Sequence, residues 1–200
     1  SLNLVMARVG WGIWGLGTQA EIMAEAITAS RLGTLAAVGS LSGSRAKTFA
    51  ERFGAKRWYA SYADLLADKN VSMVCVTSPN DEHARQTIAA LRAGKHVLCE
   101  KPLALSMREG KAIATAAKKY QRQVGVGYHL RHHPAFVAAK AHIAAGRLGD
   151  VVFVDAAWSV GQIGETKFPP LPAHKAWRED VRRSGGGAMM ARGVHLLDLL

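Results

Sequence analysis

The alternation of short apolar runs with longer amphipathic segments is the feature that most constrains how this chain can fold. The apolar runs have the length of strands and lie at residues 7–14, 34–40, 57–60, 71–77, 95–100 and 122–128. The segments between and after them have helical periodicity and lie at residues 18–31, 44–53, 61–68, 81–93, 106–120 and 133–146. Strands that are apolar throughout and alternate with helices are typical of a parallel sheet covered on both faces. The sequence therefore predicts an α/β fold with a doubly wound parallel sheet and right-handed crossovers.

The pattern changes after Gly149. The apolar stretch at residues 150–160 is longer than the earlier ones and alternates in character, and a proline-rich loop follows it at residues 167–177. We therefore expect a first domain at residues 1–128 and the start of a second domain at residues 129–200. Because the final residues have a helical pattern without a stop signal, we expect the second domain to be truncated.

A glycine-rich signature occurs twice, as G-x-G-x-x-G at residues 10–15 and as G-x-G-x-x-A at residues 15–20. A dinucleotide-binding turn follows a strand and opens a helix, and its glycines allow a sharp turn and a close approach to the pyrophosphate. The first motif would shorten the strand and place two glycines in the first helical turn, which they would weaken. We therefore place the turn at the second motif, with Ala20 as its small third position. The predicted phosphate-binding residues are Gly15, Leu16, Gly17, Thr18 and Gln19.

The end of the second predicted strand indicates which dinucleotide is bound. NAD sites usually carry an acidic residue here, because a carboxylate binds the ribose hydroxyls. This chain instead has Ser40 and Ser42, with Arg45 at the start of the next helix. Neutral donors and a guanidinium accept a 2′-phosphate, which a carboxylate would repel. We therefore predict NADP(H) as the preferred cofactor and keep NAD(H) as the alternative; an ordinary solvated arginine is the competing interpretation of Arg45.

Three further strand ends carry polar residues. Ligands of open α/β sheets bind at the carboxyl ends of the strands, so we expect these loops to contact the cofactor. Lys101 is held stiffly there, because a proline restricts the residue before it. His83 has a competing interpretation as a helix cap. The additional predicted cofactor-binding residues are Thr77, Ser78, Pro79, Asn80, His83, Glu100, Lys101, Pro102 and His129.

Four segments together carry a family resemblance: the glycine motif, the TSPN..H loop at 77–83, AGKHVLCEKPLA at 93–104 and GGGAMMARGVHLLD at 185–198. In order and spacing they resemble the Gfo/Idh/MocA family of NAD(P)-dependent oxidoreductases, from about residue 7 to residue 200. The resemblance implies a Rossmann domain followed by an α+β domain with an open antiparallel sheet, which carries the substrate site and the oligomer interface. The serine and arginine at the ribose end resemble the NADPH-using sugar-ketone reductases of the family.

The resemblance also implies two catalytic residues. Lys101 matches the lysine that hydrogen-bonds the reacting oxygen and the nicotinamide ribose. His195 matches the histidine that acts as general acid/base, a role that suits an imidazole near neutral pH. The chain departs from the family pattern at Ala191, where an aspartate is common, so we expect a substitute group or a weak proton relay. The predicted substrate-binding residues are Lys101, Arg192, His195 and Asp198.

These residues favour an NADP(H)-dependent oxidoreductase that transfers hydride between the nicotinamide and a sugar or polyol carbonyl or carbinol. The departure at Ala191 favours, as an alternative, a non-catalytic NAD(P)-binding regulator. A third interpretation is a family member that uses bound NAD transiently to cleave glycosides. We expect a sugar-like or polyol-like small molecule as substrate and a homodimer or homotetramer in the full-length protein.

Composition argues against several other classes. The net charge of +11 raises the question of nucleic acid, but the basic residues are scattered, so we predict solvated helix faces and no nucleic-acid partner. The sequence has no apolar run of membrane-spanning length and no secretory pattern, so we expect no membrane partner. Two cysteines inside apolar runs favour a reducing compartment, hence a cytoplasmic protein. We expect no metal, because the histidines near residue 130 have no further ligands at metal spacing.

Overall fold

The computed structural model describes residues 8–158 and 173–200 of the chain. The chain divides into two compact units, residues 1–126 and residues 127–200. The first unit contains a parallel sheet with helices on both faces. The described residues of the second unit form short helices and irregular segments.

The first unit is built on a six-stranded sheet. Its strands are β1 Val9–Trp14, β2 Gly33–Gly39, β3 Arg57–Tyr59, β4 Met73–Val76, β5 His96–Cys99 and β6 Val124–Val126. They lie in the order β3-β2-β1-β4-β5-β6, and all five neighbouring pairs are parallel. The direction of winding reverses between β1 and β4, which places a crevice at the carboxyl ends of these strands. The predicted doubly wound Rossmann sheet is confirmed.

Five α-helices connect these strands. They are α1 Thr18–Ala29, α2 Gly43–Phe53, α3 Tyr62–Ala67, α4 His83–Arg92 and α5 Met107–Tyr120. Three of them begin after a serine, at Ser42, Ser61 and Ser106, whose hydroxyl accepts a backbone hydrogen bond from the third residue of the helix. These caps satisfy amide groups that have no partner inside the helix. A short 3-10 turn, Asn80–Glu82, precedes α4, where the sequence pattern predicts one continuous helix.

Buried apolar side chains cover both faces of the sheet. One cluster joins α3, α4 and α5 to the sheet and includes Leu65, Leu91 and Ile113. The other joins α1 and α2 to the opposite face and includes Val38 and Phe49. Burial on both faces explains why the strands are apolar throughout rather than alternating.

The first two glycines of the first motif, Gly10 and Gly12, lie inside β1, where a side chain would meet close neighbours. A Cβ atom on Gly10 would overlap the carbonyl oxygen of Asn70. A Cβ atom on Gly12 would lie 3.0 Å from a methyl group of Val71 and 3.1 Å from one of Leu65. Close packing of β1 therefore requires Gly10 and Gly12. This packing requirement accounts for the additional G-x-G-x-x-G match at residues 10–15.

A polar cluster around Asp68 fixes the end of α3. The Asp68 carboxylate is 4% exposed and accepts hydrogen bonds from Arg57 Nε at 2.7 Å, the Asn70 amide at 2.8 Å and Tyr59 Oη at 3.2 Å. Lys95 Nζ donates to the backbone oxygen of Asp68 at 2.9 Å. Burial alone would raise the pKa of Asp68, but the hydrogen bonds from Asn70 and Arg57 outweigh it and lower the pKa to about 2.

The second unit contains the helices α6 Pro134–Ala144, α7 Val181–Ser184 and α8 Val194–Leu199. A π-helical turn, Met189–Gly193, leads directly into α8. Residues 151–158 have no regular secondary structure, and no strand occurs among the described residues of this unit. The antiparallel sheet implied by the resemblance is therefore not present in them, since a strand needs a paired neighbour for its backbone hydrogen bonds. Residues 159–160 of the alternating stretch and residues 167–172 of the proline-rich loop lie outside the described residues.

Candidate active site

The turn between β1 and α1 is the first element of the candidate site. Because β1 ends at Trp14 and α1 begins at Thr18, the turn consists of residues 15–17, which we call the glycine turn. Gly15 has a φ of 98°, in the left-handed region that favours glycine. A Cβ atom on Gly15 would lie 2.8 Å from the backbone nitrogen of Ser78. The turn therefore packs directly against the chain that follows β4.

Gly17 lies in the opposite environment, because a Cβ atom there would have no neighbouring atom within 4 Å. Gly17 is the N-cap residue of α1 and provides no side-chain cap, whereas α2, α3 and α5 are capped by serines. The first amides of a helix lack intrahelical partners and attract anions together with the helix dipole. Ala20 is fully buried, so α1 can lie close to the sheet. The open approach and the uncapped amides fit the pyrophosphate of a dinucleotide.

The end of β2 contributes Ser40, Ser42 and Arg45. The Ser40 hydroxyl accepts a hydrogen bond from the Ser42 amide at 3.2 Å, and the Ser42 hydroxyl accepts one from the Arg45 amide at 3.4 Å. The Arg45 guanidinium donates to the carbonyl oxygen of Leu16 in the glycine turn. Residues 39–45 include no acidic side chain. The fold thus places the Arg45 guanidinium on the glycine turn, with the two serine hydroxyls in the same loop as Arg45.

The loop after β4 is fixed against the glycine turn. The Thr77 amide donates to the carbonyl oxygen of Trp14 at 3.0 Å, and the Thr77 hydroxyl donates to that of Gly15. The Ser78 hydroxyl donates to the side-chain oxygen of Gln86 on α4. Pro79 and Asn80 follow at the start of the 3-10 turn. The loop is therefore tied both to the glycine turn and to α4.

His83 is the most deeply buried of the predicted site residues in this loop. Its side chain is 1% exposed, with Nδ1 2.7 Å from the carbonyl oxygen of Pro102 and Nε2 2.8 Å from that of Ser78. Both ring nitrogens are thus occupied by backbone carbonyl groups. The sequence-based assignment of His83 to direct cofactor contact does not fit this burial. His83 instead links the loops after β4 and β5.

The end of β5 places Glu100, Lys101 and Pro102 beside the loop after β4. The Glu100 amide donates to the carbonyl oxygen of Val76 at 2.9 Å, and the Lys101 amide donates to the Glu100 carboxylate at 3.2 Å. Pro102 is buried, while Glu100 and Lys101 are half-buried. The Lys101–Pro102 peptide bond is cis. The predicted catalytic lysine therefore lies at the carboxyl end of a strand adjacent to β4.

His195, in the second unit, is 4% exposed and has three aromatic neighbours. The ring centroids of His129, Trp158 and Tyr128 lie 5.0, 5.8 and 6.0 Å from its own. Within this unit, His129 is thus a neighbour of the predicted general acid/base. Burial raises the pKa of Tyr128, and the Asp198 charge raises it further.

Asp198 forms an ion pair that the sequence does not reveal. Its side chain is 7% exposed and accepts hydrogen bonds from Arg131 Nε at 2.8 Å and Arg131 Nη2 at 2.5 Å. Arg131 lies 67 residues earlier in the chain, in the histidine-rich segment after β6. Its basic side chain is the only sequence feature there that indicates a partner for a carboxylate. The pairing orients α8 and competes with the predicted substrate contact of Asp198. Arg192, another predicted substrate residue, is exposed.

Within residues 8–158 and 173–200, no group of three or more His, Cys, Asp or Glu side chains is arranged to hold a metal ion. None of the helices described in those ranges is both long and apolar enough to cross a bilayer.

A doubly wound parallel sheet with a glycine turn at its switch point defines a dinucleotide-binding Rossmann domain. Comparison with known proteins agrees. The model of the Gfo/Idh/MocA oxidoreductase family with an NAD-binding Rossmann fold matches residues 9–128, and the model of a C-terminal domain of this family matches residues 136–200. The chain belongs to the Gfo/Idh/MocA oxidoreductase family.

Several relatives are named for activities on sugars. It is 34% identical over 192 residues to a 1,5-anhydro-D-fructose reductase of Ensifer adhaerens, covering 95% of this chain and 55% of the relative. An oxidoreductase domain protein from Kribbella flavida is 31% identical with a TM-score of 0.88, over 97% of this chain and 52% of that one. A levoglucosan dehydrogenase solved with NADH and levoglucosan is 25% identical with a TM-score of 0.81, over 96% of this chain and 52% of that one. The chain therefore spans about half the length of these relatives.

Proposed function

We propose that this chain is the NADP(H)-binding part of an oxidoreductase that transfers hydride between the nicotinamide and a sugar or polyol carbonyl or carbinol. The observation that carries the proposal is the Arg45 guanidinium on the carbonyl oxygen of Leu16, next to the open face of Gly17. A guanidinium has five N–H donors in a rigid fork, so it can anchor itself on the turn and still bind a phosphate. The absence of an acidic residue from residues 39–45 removes the group that would repel a 2′-phosphate.

The remaining cofactor contacts follow from the strand ends. We assign the pyrophosphate to the amides of the glycine turn and of the first turn of α1, through Gly15, Leu16, Gly17, Thr18 and Gln19. We assign the 2′-phosphate to Ser40, Ser42 and Arg45. The loops after β4 and β5 would line the nicotinamide half of the site with Thr77, Ser78, Pro79, Asn80, Glu100, Lys101 and Pro102.

A bound nicotinamide would supply or accept the hydride in this reaction. The half-buried Lys101 would hydrogen-bond the reacting oxygen of the substrate and the nicotinamide ribose. His195 would take or return the proton of the substrate hydroxyl. The rings around His195 shield it from water, which strengthens its interaction with a polar group of the substrate. We further propose a sugar-like or polyol-like substrate and a homodimer or homotetramer for the full-length protein.

Comparing the affinities for NADPH and NADH tests the proposal directly. A relative was solved with NADH, whereas the residues at the end of β2 favour NADP(H). NADPH and NADH are titrated into the purified chain, with the emission of the reduced nicotinamide as the signal. Arg45→Ala should weaken NADPH about 10- to 100-fold, the value of one or two charge-assisted hydrogen bonds. It should weaken NADH much less, because both cofactors use the glycine turn that Arg45 contacts but only NADPH carries the 2′-phosphate. Arg52→Ala is the matched control, since Arg52 lies on the same helix but pairs with Glu21. Equal affinity for NADPH and NADH in the unmodified chain would overturn the preference.

The second candidate function is an NAD(P)-binding regulator without turnover. It is favoured by Ala191, because alanine cannot supply the carboxylate that the family often places four residues before His195. Carbonyl sugars are offered to the NADPH-loaded protein and polyols to the NADP+-loaded protein, and absorbance at about 340 nm, the reduced-nicotinamide band, is followed in single turnover. Loss of the band with a sugar or its appearance with a polyol supports the enzyme, whereas tight cofactor binding without either change across the panel supports the regulator.

A further inference from the structure

We propose that His83 is a positioning residue that fixes the nicotinamide side of the site by joining the loops after β4 and β5. The inference rests on the proposed NADP(H)-binding function. It assigns His83 no contact with substrate or cofactor. Its effect passes through two backbone carbonyl groups, those of Ser78 and Pro102.

The geometry of His83 is that of a cross-link. The imidazole bridges two segments 24 residues apart in sequence, because Ser78 follows β4 and Pro102 follows β5. The ring nitrogens lie 2.7 and 2.8 Å from these oxygens at a side chain that is 1% exposed. A neutral imidazole has one N–H, and we assign it to Nδ1, which lies nearer to its carbonyl oxygen. Removing a partner of a buried carbonyl group leaves that group desolvated and unpaired, so the loops would have to move to regain hydrogen bonds.

The loop after β5 depends on this bridge more than the glycine turn does. Pro102 is bonded directly to Lys101, so the His83–Pro102 hydrogen bond holds the backbone next to the proposed catalytic lysine. The glycine turn is held independently by Thr77, which donates to the carbonyl oxygens of Trp14 and Gly15. Loss of the bridge should therefore disturb the nicotinamide end of the site and spare the phosphate end.

The two contacts can be separated by substitution. An asparagine amide nitrogen can take the place of imidazole Nδ1, and a glutamine amide nitrogen can take the place of Nε2. His83→Asn thus retains the hydrogen bond to Pro102, whereas His83→Gln places a donor toward Ser78 only. His83→Ala loses both contacts. His96→Ala is the matched control, because His96 is also a histidine of the first unit but lies at the opposite, amino end of β5.

Two measurements on the full chain test the proposal. The first is calorimetric binding of NADPH and of adenosine 2′,5′-bisphosphate, which lacks the nicotinamide half. The second is amide hydrogen exchange of the segment 100–105 in the chain without cofactor. We expect His83→Ala to weaken NADPH about tenfold, as for the loss of one or two net hydrogen bonds, with unchanged affinity for the bisphosphate. Exchange in 100–105 should be about tenfold faster.

The isosteric variants supply the sharper comparison. His83→Asn should keep both NADPH affinity and exchange in 100–105 near those of the parent, while His83→Gln should resemble His83→Ala. His96→Ala should change neither. Equal weakening of both ligands by His83→Ala would show a general loss of structure and overturn the positioning role, as would unchanged exchange in 100–105. Failure of the parent chain to bind either ligand would instead refute the proposed function, and the exchange result would still report on the bridge itself.

Discussion

Substituting alanine at four glycines should separate the packing glycines from the cofactor-binding ones. Gly10→Ala should be the most damaging for stability, because its Cβ would overlap the backbone oxygen of Asn70 and β1 would have to shift. Overpacking against backbone costs about 3 kcal/mol or more of unfolding free energy. Gly15→Ala should cost about 2 kcal/mol or more, from left-handed strain at its φ of 98° together with a contact of 2.8 Å to Ser78.

Gly17→Ala should behave in the opposite way. Gly17 has a φ of −103°, which alanine adopts without strain, and its Cβ would meet no atom within 4 Å. The loss of an N-cap glycine should cost less than about 1 kcal/mol. NADPH affinity, however, should fall about tenfold or more, since the added methyl group occupies the approach of the pyrophosphate to the amides of α1.

Urea unfolding followed by circular dichroism gives the stability differences, and nicotinamide fluorescence gives the affinities. Gly110→Ala is the control, because Gly110 lies in α5 with open space around it. It should gain about 0.5–1 kcal/mol from helix propensity without any change in NADPH binding. Two outcomes would contradict these roles of the glycines: Gly17→Ala binds NADPH as the parent does, or Gly10→Ala unfolds at the same urea concentration as the parent.

Two further predictions concern buried carboxylates. The pKa of Asp68 is about 2, against its ordinary 3.8, so its contribution of about 2 kcal/mol is present above pH 3.8 and is lost as the pH falls through about 2. Asp68→Asn should flatten this part of the pH dependence of unfolding, and an unchanged acid limb would contradict the assignment. Arg131→Met should leave the Asp198 carboxylate unpaired, lower the free energy of unfolding and speed hydrogen exchange in α8. Adding Asp198→Asn should restore much of the exchange protection, whereas Arg192→Met, at an exposed arginine, should leave it unchanged.

The order of the elements could be predicted from the sequence because it depends on local periodicity. All six apolar runs form strands, but most are shorter than their runs. The run at 71–77 forms β4 only over Met73–Val76, and the run at 122–128 forms β6 only over Val124–Val126. An apolar run ends where hydrophobicity ends, whereas a strand ends where its neighbour stops pairing with it. The position of the glycine turn could be predicted for the same local reason, from where α1 must begin.

The contacts of the site could not be predicted, because each joins residues that are remote in sequence. Arg45 reaches Leu16 only after the sheet has been assembled, and Arg131 reaches Asp198 only after the second unit has folded. His83 illustrates the limit most clearly. The TSPN..H motif predicted His83 as a cofactor-binding residue. The sequence could not show whether the His83 ring faces a ligand or two backbone carbonyl groups. Burial decides that question, and burial is a property of the folded chain.

Together these contacts form one cross-linked edge across the carboxyl ends of four strands. Arg45, after β2, bonds to the glycine turn after β1, and Thr77 joins that turn to the loop after β4. His83 then joins the loop after β4 to Pro102 after β5. Every link uses at least one backbone carbonyl group, so the loops hold one another without a ligand. A site assembled in this way needs little reordering on binding, which preserves binding energy for positioning the reacting groups.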